Sequence, residues 1–246
     1  MSQAASEAAT DDSPAAGRDD SPEGYLAPGR FVDSDDPEVA AFAARIAGTL
    51  ADPTAKALAL YRAIRDDIAY DPYHLPGHPE AFRAGRVLAD GRGFCIGKAA
   101  LMTAAARSQG IPARVGYADV RNHLATKRLL EMMGTDMFVW HGYAQLFLDG
   151  QWVKATPAFG KEICDRFGVA PLEFDGRTDS LFQPYNGEGA RYMEYVQDRG
   201  QFADVPADRI LDTFRRTYPG WATTPPEQIA AGDFGAEAEA ERRQGS

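Results

Sequence analysis

The stretch from Gly91 to Val115 constrains this chain more than any other. Gly91-Arg92-Gly93-Phe94-Cys95 is a glycine-rich turn, and the alanine-rich run Ile96–Gln109 behind it has strong helix propensity. Gly110 supplies the helix stop, Pro112 bars its continuation, and Ala113–Val120 then reads as a strand. Met137–Leu148 and Gln151–Ala158 are two further strands, joined by Asp149-Gly150, the strongest short hairpin signal in the chain. If that loop has two residues, facing positions have numbers summing to 299, so Tyr143 faces Thr156 and His141 faces Ala158. Thr156 is then a diagonal neighbour of His141 on the same face.

Helices are expected from Pro37, capped by Asp35 or Asp36, and after Asp52-Pro53 through Ile68. A short helix is expected at Phe82–Leu88 and another at Leu124–Met133. Beyond 160 the patterns are weaker, with helices plausible at 189–200 and 206–217. Residues 1–24 and 232–246 hold few large apolar side chains and read as disordered tails, the second staying loose or forming a transient helix. The folded body is 25–231, with a core of about 60–160 and a helical C-terminal extension at 160–220 packed on it.

The net charge of −10 is concentrated in the tails, which carry −5 and −2, and no basic run exists. Nucleic acid is therefore not an expected partner. No apolar stretch is long enough to span a membrane, and the acidic N-terminal residues lack the pattern of an export signal. With only Cys95 and Cys164, neither a disulfide framework nor a four-cysteine zinc site is available, so the expected setting is the reducing cytoplasm.

Cys95 sits where the N–H groups of a helix start favour a thiolate and can hold a developing oxyanion, with no acid within four residues. The alternative is a small buried hydrophobe. Cys164, flanked by Glu162 and Asp165, reads as structural. A thiolate nucleophile calls for a histidine base. His141, inside a strand, is the candidate. His123 either lines a cleft or caps the next helix. His74 and His78 are four apart, but Pro76-Gly77 between them breaks the helical spacing a metal pair needs. A metal hydrolase through His74, His78 and His123 is accordingly the weakest reading, and no metal or other cofactor is expected. Thr156 can accept the imidazole N–H, or it is simply a β-branched residue in a strand.

Taken together, Cys95 at a helix start, Gly110-Ile111-Pro112-Ala113-Arg114, His141-Gly142-Tyr143 and Trp152-Val153-Lys154-Ala155-Thr156-Pro157 resemble the transglutaminase-like superfamily. The likeness runs from about Leu60 to Phe159 and includes Ile68 and Tyr70. It implies an α+β papain-like fold with a nucleophile helix packed on an antiparallel sheet. It also implies Cys95 as nucleophile, His141 as general base and Thr156 at the place of the family's aspartate. An acid from a loop, Asp119 or Asp136, is an alternative third member. Tyr70, Trp140, Tyr143, Asp119 and Asn122 are candidates for the substrate cleft. The function expected is acyl transfer on amide bonds of a peptide or protein, as a cysteine protease or amidase. A transglutaminase and a catalytically silent peptide-binding module are the alternatives. Oligomeric state is not legible.

Overall fold

A computed structural model describes residues 21–74, 78–123, 125–182 and 193–245. The architecture is α+β. Helix α1 (Pro37–Ala47) starts with Asp36 accepting from the N–H groups of Glu38 and Val39, and α2 (Pro53–Asp67) with Asp52 accepting from Ala55. In both, proline at the first position supplies the helical φ and forfeits no intrahelical bond. The two-residue strands β1 (Ala69–Tyr70) and β2 (Arg92–Gly93) pair in parallel around α3 (Ala84–Asp90). They bring the chain to α4 (Cys95–Ser108), of which every residue from Cys95 to Arg107 is buried.

The main sheet has the order β5-β4-β3-β6, all neighbours antiparallel. Its strands are β3 (Ala113–Asn122), β4 (Met137–Leu148), β5 (Gln151–Ala155) and β6 (Met193–Phe202), with α5 (Lys127–Met133) between β3 and β4. The hairpin register is the expected one: Ala144 faces Ala155 and Leu148 faces Gln151, closed by Asp149 and Gly150 at φ 49° and 83°. Pairing stops at Ala155, so Thr156 lies one step beyond the ladder. Against the sheet, Gly142 of β4 lies so close to α4 that a Cβ there would come within 2.9 Å of Ile96 Cα. That contact seats the middle of β4 on the start of α4.

The segment beyond 160 departs from expectation. Residues 193–202 form an edge strand where a helix had been expected over 189–200; of that range, 189–192 lie outside the described residues. The free edge of β3 offers main-chain partners, and Met193, Tyr195 and Val196 suit a strand better than a helix. The rest is α6 (Lys161–Phe167), α7 (Ala207–Thr217), α8 (Pro219–Thr223) and α9 (Pro226–Ala230). Arg107 ties the parts together by donating to the carbonyls of Ala27, Ala113 and Ala203, and Asp204 accepts from the backbone of Arg30, Phe31 and Val32.

The C-terminal tail is ordered rather than disordered: 234–245 form helix α10 (Phe234–Gly245), docked on the body. Phe234 is buried against Tyr70, Tyr73 and Phe167, and Glu237 accepts from the hydroxyls of Tyr73 and Thr126. One buried aromatic anchor and one part-buried carboxylate contact are enough to dock a segment whose Ala-Glu repeat already favours helix. Of the N-terminal tail, residues 1–20 lie outside the described residues and Pro22–Tyr25 form a short 3-10 helix.

Candidate active site

Cys95 is the first residue of α4, after Phe94 in extended conformation. The backbone N–H groups of Gly142, Ile96 and Cys95 itself face the thiol and favour its ionised form. Burial outweighs them and pushes the thiol up to about 11. Sequence position alone had suggested a lowered value, but a helix start stabilises a thiolate only as far as desolvation allows. Arg92 turns outward to Asp71. Lys98 turns away from Cys95, donating to the carbonyls of Arg65 and Ile68 at 3.0 and 2.6 Å.

His141 is 5% exposed, and burial alone pulls its imidazole down to about 4. It lines one cavity of about 40 Å³ together with Cys95, Tyr70, Asn122, Trp140 and Phe159. Four consecutive β4 residues, Phe138 to His141, line that cavity. The ring edges of Phe182 and Tyr195 flank the imidazole, each with centroids 6.2 Å away. Among the described residues, His141 Nε2 is buried with no hydrogen-bond partner.

Thr156 does not line this cavity. Its hydroxyl is buried and unbonded, while its carbonyl accepts from Tyr61 at 3.1 Å. The Thr156 and Tyr195 hydroxyls are neighbours, and neither makes a hydrogen bond among the described residues. The two alternative acids are committed elsewhere: Asp119 to Trp140 N–H and Arg199, Asp136 to Arg121 at 3.0 Å.

Of the cleft candidates, Tyr70, Trp140 and Asn122 line the Cys95 cavity, whereas Tyr143 and Asp119 do not. Tyr143 lines a separate pocket of about 190 Å³ with Lys154 and Tyr195. Sequence reasoning missed Phe159, at the end of the stretch that carries the resemblance, and Met193, Tyr195, Phe214 and Tyr218, which come from the C-terminal segment and carry no motif. Tyr70 also borders a larger cleft, about 440 Å³, walled by Asp66, Asp71, Arg92, Glu162, Arg166 and Asp233. The remaining histidines do not converge: His74 pairs with Asp90 at 3.0 Å, His123 with Glu194 at 3.2 Å, and His78 accepts from Glu80 N–H. Cys164 is buried near the Phe159 carbonyl, and burial pushes its thiol up to about 11. No helix among the described residues is long and apolar enough to cross a membrane.

Comparison with known proteins agrees with this architecture. Residues 40–157 match the family model described as Transglutaminase-like superfamily. No curated protein matches the chain. Two solved structures are similar in part. One is "a Putative Cysteine Protease from Cytophaga hutchinsonii", 22% identical with a TM-score of 0.43, aligned over 59% of this chain and 44% of that one. The other is a "putative protease from Parabacteroides distasonis", 15% identical with a TM-score of 0.36, aligned over 55% and 25%. The chain therefore matches less than half the length of either. With a buried helix that opens on cysteine, set on an antiparallel sheet that carries the histidine, residues 40–157 form the part of the chain that is similar to the transglutaminase-like superfamily.

Proposed function

We propose that this protein is a thiol-dependent acyl-transfer enzyme that hydrolyses amide bonds of a peptide or protein substrate, with Cys95 as nucleophile and His141 as general base and acid. The observation that carries this reading is the shared cavity. It places the start of a buried helix, its cysteine and a histidine with an uncommitted ring nitrogen around one space. His141 takes the thiol proton, and the sulfur attacks the carbonyl carbon. The N–H groups of Cys95 and Gly142 are placed to hold the oxyanion. His141 then returns its proton to the leaving amine. Water, activated by the same imidazole, releases the acid from the thioester. With an amine in place of water the same site would be a transglutaminase. A thiol nucleophile of this kind suits the reducing cytoplasm.

At about 40 Å³ the cavity is far smaller than the roughly 300–1,000 Å³ of a ligand pocket, so catalysis needs an open form. Displacement of Tyr70 would join it to the 440 Å³ cleft, which is our candidate for the peptide-binding groove. Opening would rehydrate Cys95 and His141 and relieve the burial that keeps both neutral. In this reading Thr156 comes into hydrogen-bond reach of His141 only in the open form.

A second reading, a catalytically silent peptide-binding module, draws on the unbonded Thr156 hydroxyl and the neutral Cys95–His141 pair. Turnover of a peptide-amide panel by the unmodified protein, Cys95→Ala and His141→Ala separates the two. Loss in both variants is expected. Peptide binding without turnover in all three proteins would establish the module instead, and a cross-linked amine product would reassign the acceptor.

A further inference from the structure

Two of the three register irregularities along β3 are joined through Asp119. On β4, Ala118 faces His141 but Val120 faces Phe138, so Val139 and Trp140 together oppose the single residue Asp119. That is a β-bulge, and Trp140 in it has φ 60°, a left-handed conformation unusual for a tryptophan. On the other side of β3, Tyr117 faces Gly200 and Ala118 faces Asp198, which leaves Arg199 as the extra residue of β6. The Asp119 carboxylate joins the two bulges. It accepts the Trp140 N–H at 3.0 Å and both Nε and Nη2 of Arg199 at 2.6 and 2.7 Å. The Arg199 guanidinium in turn lies 4.9 Å from the centre of the Trp140 ring. Asp119 is 5% exposed, so this is a largely desolvated, bidentate pair.

A regular strand sends alternate side chains to opposite faces. Four consecutive residues, Phe138 to His141, can line the Cys95 cavity only because the bulge breaks that alternation. A left-handed tryptophan is costly and persists where its surroundings over-determine it. The carboxylate on its N–H and the cation on its ring do so.

We infer that Asp119 and Arg199 are positioning residues: by clamping the Val139–Trp140 bulge they fix the direction in which His141 meets Cys95. This rests on the assignment of Cys95 and His141 made above. Without the Asp119 carboxylate, Trp140 N–H and Arg199 both lose a buried partner, and the bulge is free to migrate or flatten. A shift of the bulge by one residue would turn His141 to the other face.

The test uses the full chain and its four histidines, whose ring signals are read by NMR. Asp119→Ala is expected to move or split the His141 signal while those of His74, His78 and His123 stay in place. Asp119→Asn, which can still accept from Trp140 N–H, should fall between that variant and the unmodified protein. Should Asp119→Ala fail to fold, Arg199→Gln carries the test, since it keeps the Asp119–Trp140 bond and should still displace the His141 signal. Unchanged His141 signals in folded Asp119→Ala or Arg199→Gln would overturn the inference. In parallel, iodoacetamide labelling of Cys95 is followed against pH. Asp119→Ala should reproduce the profile of His141→Ala, with the pH 7 rate altered at least threefold. If His141→Ala labels like the unmodified protein, the catalytic assignment falls, and the NMR comparison still decides the role of Asp119.

Discussion

Lys98 lies one turn after Cys95 on α4, fully buried, and its ammonium donates to two carbonyls at the end of α2. Burial pulls it from 10.5 down to about 7, against the attraction of Asp66 and Cys164 and with the repulsion of Arg65. Between those two values the folded protein binds fewer protons at this site than the unfolded chain does. Stability must therefore rise with pH across that interval. The burden on folding works out at about 4 kcal/mol at pH 7 and about 2 kcal/mol at pH 9, a gain of about 2 kcal/mol on raising the pH. The window from 7 to 9 is favourable for the measurement, because the buried thiols of Cys95 and Cys164 act in the opposite sense mainly above 9 and offset only about 1 kcal/mol of the gain at pH 9. Lys98→Met keeps the volume, removes the titration and leaves the carbonyls of Arg65 and Ile68 without their cation. Each orphaned acceptor costs about 1–3 kcal/mol. At pH 7 that cost roughly cancels the relief of the buried charge; at pH 9 it does not. Lys98→Met should therefore be near neutral at pH 7 and about 2 kcal/mol more destabilising at pH 9. Urea unfolding of both proteins at pH 7, 8 and 9 measures this. A flat profile for the unmodified protein, or the same slope in Lys98→Met, would refute the reasoning.

His141, at about 4 in the folded protein, should cost the fold about 2 kcal/mol of stability as pH falls from 6.5 to 4.5, since only the unfolded chain gains its proton there. The loss should be absent in His141→Gln, by thermal unfolding at the two pH values. Thr156→Val removes a buried hydroxyl that makes no hydrogen bond, so it should leave stability unchanged or raise it by up to about 1 kcal/mol. A fall in turnover with no fall in melting temperature would show a role for that hydroxyl in the open form. Glu237→Ala strips α10 of its bonds to Tyr73 and Thr126 and should cost about 1–3 kcal/mol. Hydrogen exchange should quicken in α10 first, and equal protection in both proteins would count against the docking described here.

The sequence by itself determined the elements whose rules are local. Proline at a first turn behind Asp36 and Asp52 started two helices, and Gly91 and Gly134 in left-handed conformation closed two others. Asp149-Gly150 set a hairpin register correct to the residue, because a two-residue loop leaves no freedom to slip. From that register, and from a cysteine opening an alanine-rich helix, the candidate pair Cys95 and His141 was legible. Everything that depends on which surfaces meet was decided by the tertiary structure. Residues 193–202 became a strand because β3 had an open edge, and 234–245 docked because Phe234 found Tyr70, Tyr73 and Phe167. The ionisation of Cys95 and His141 followed the same rule. Local sequence aims N–H groups at the thiol, but desolvation is set by residues far along the chain, such as Met193, Phe214 and Tyr218. The bulge at Val139–Trp140 belongs there too: it needs Asp119 and Arg199, brought together from 80 residues apart, and no period in the sequence announces a break in alternation that only a neighbouring strand can hold.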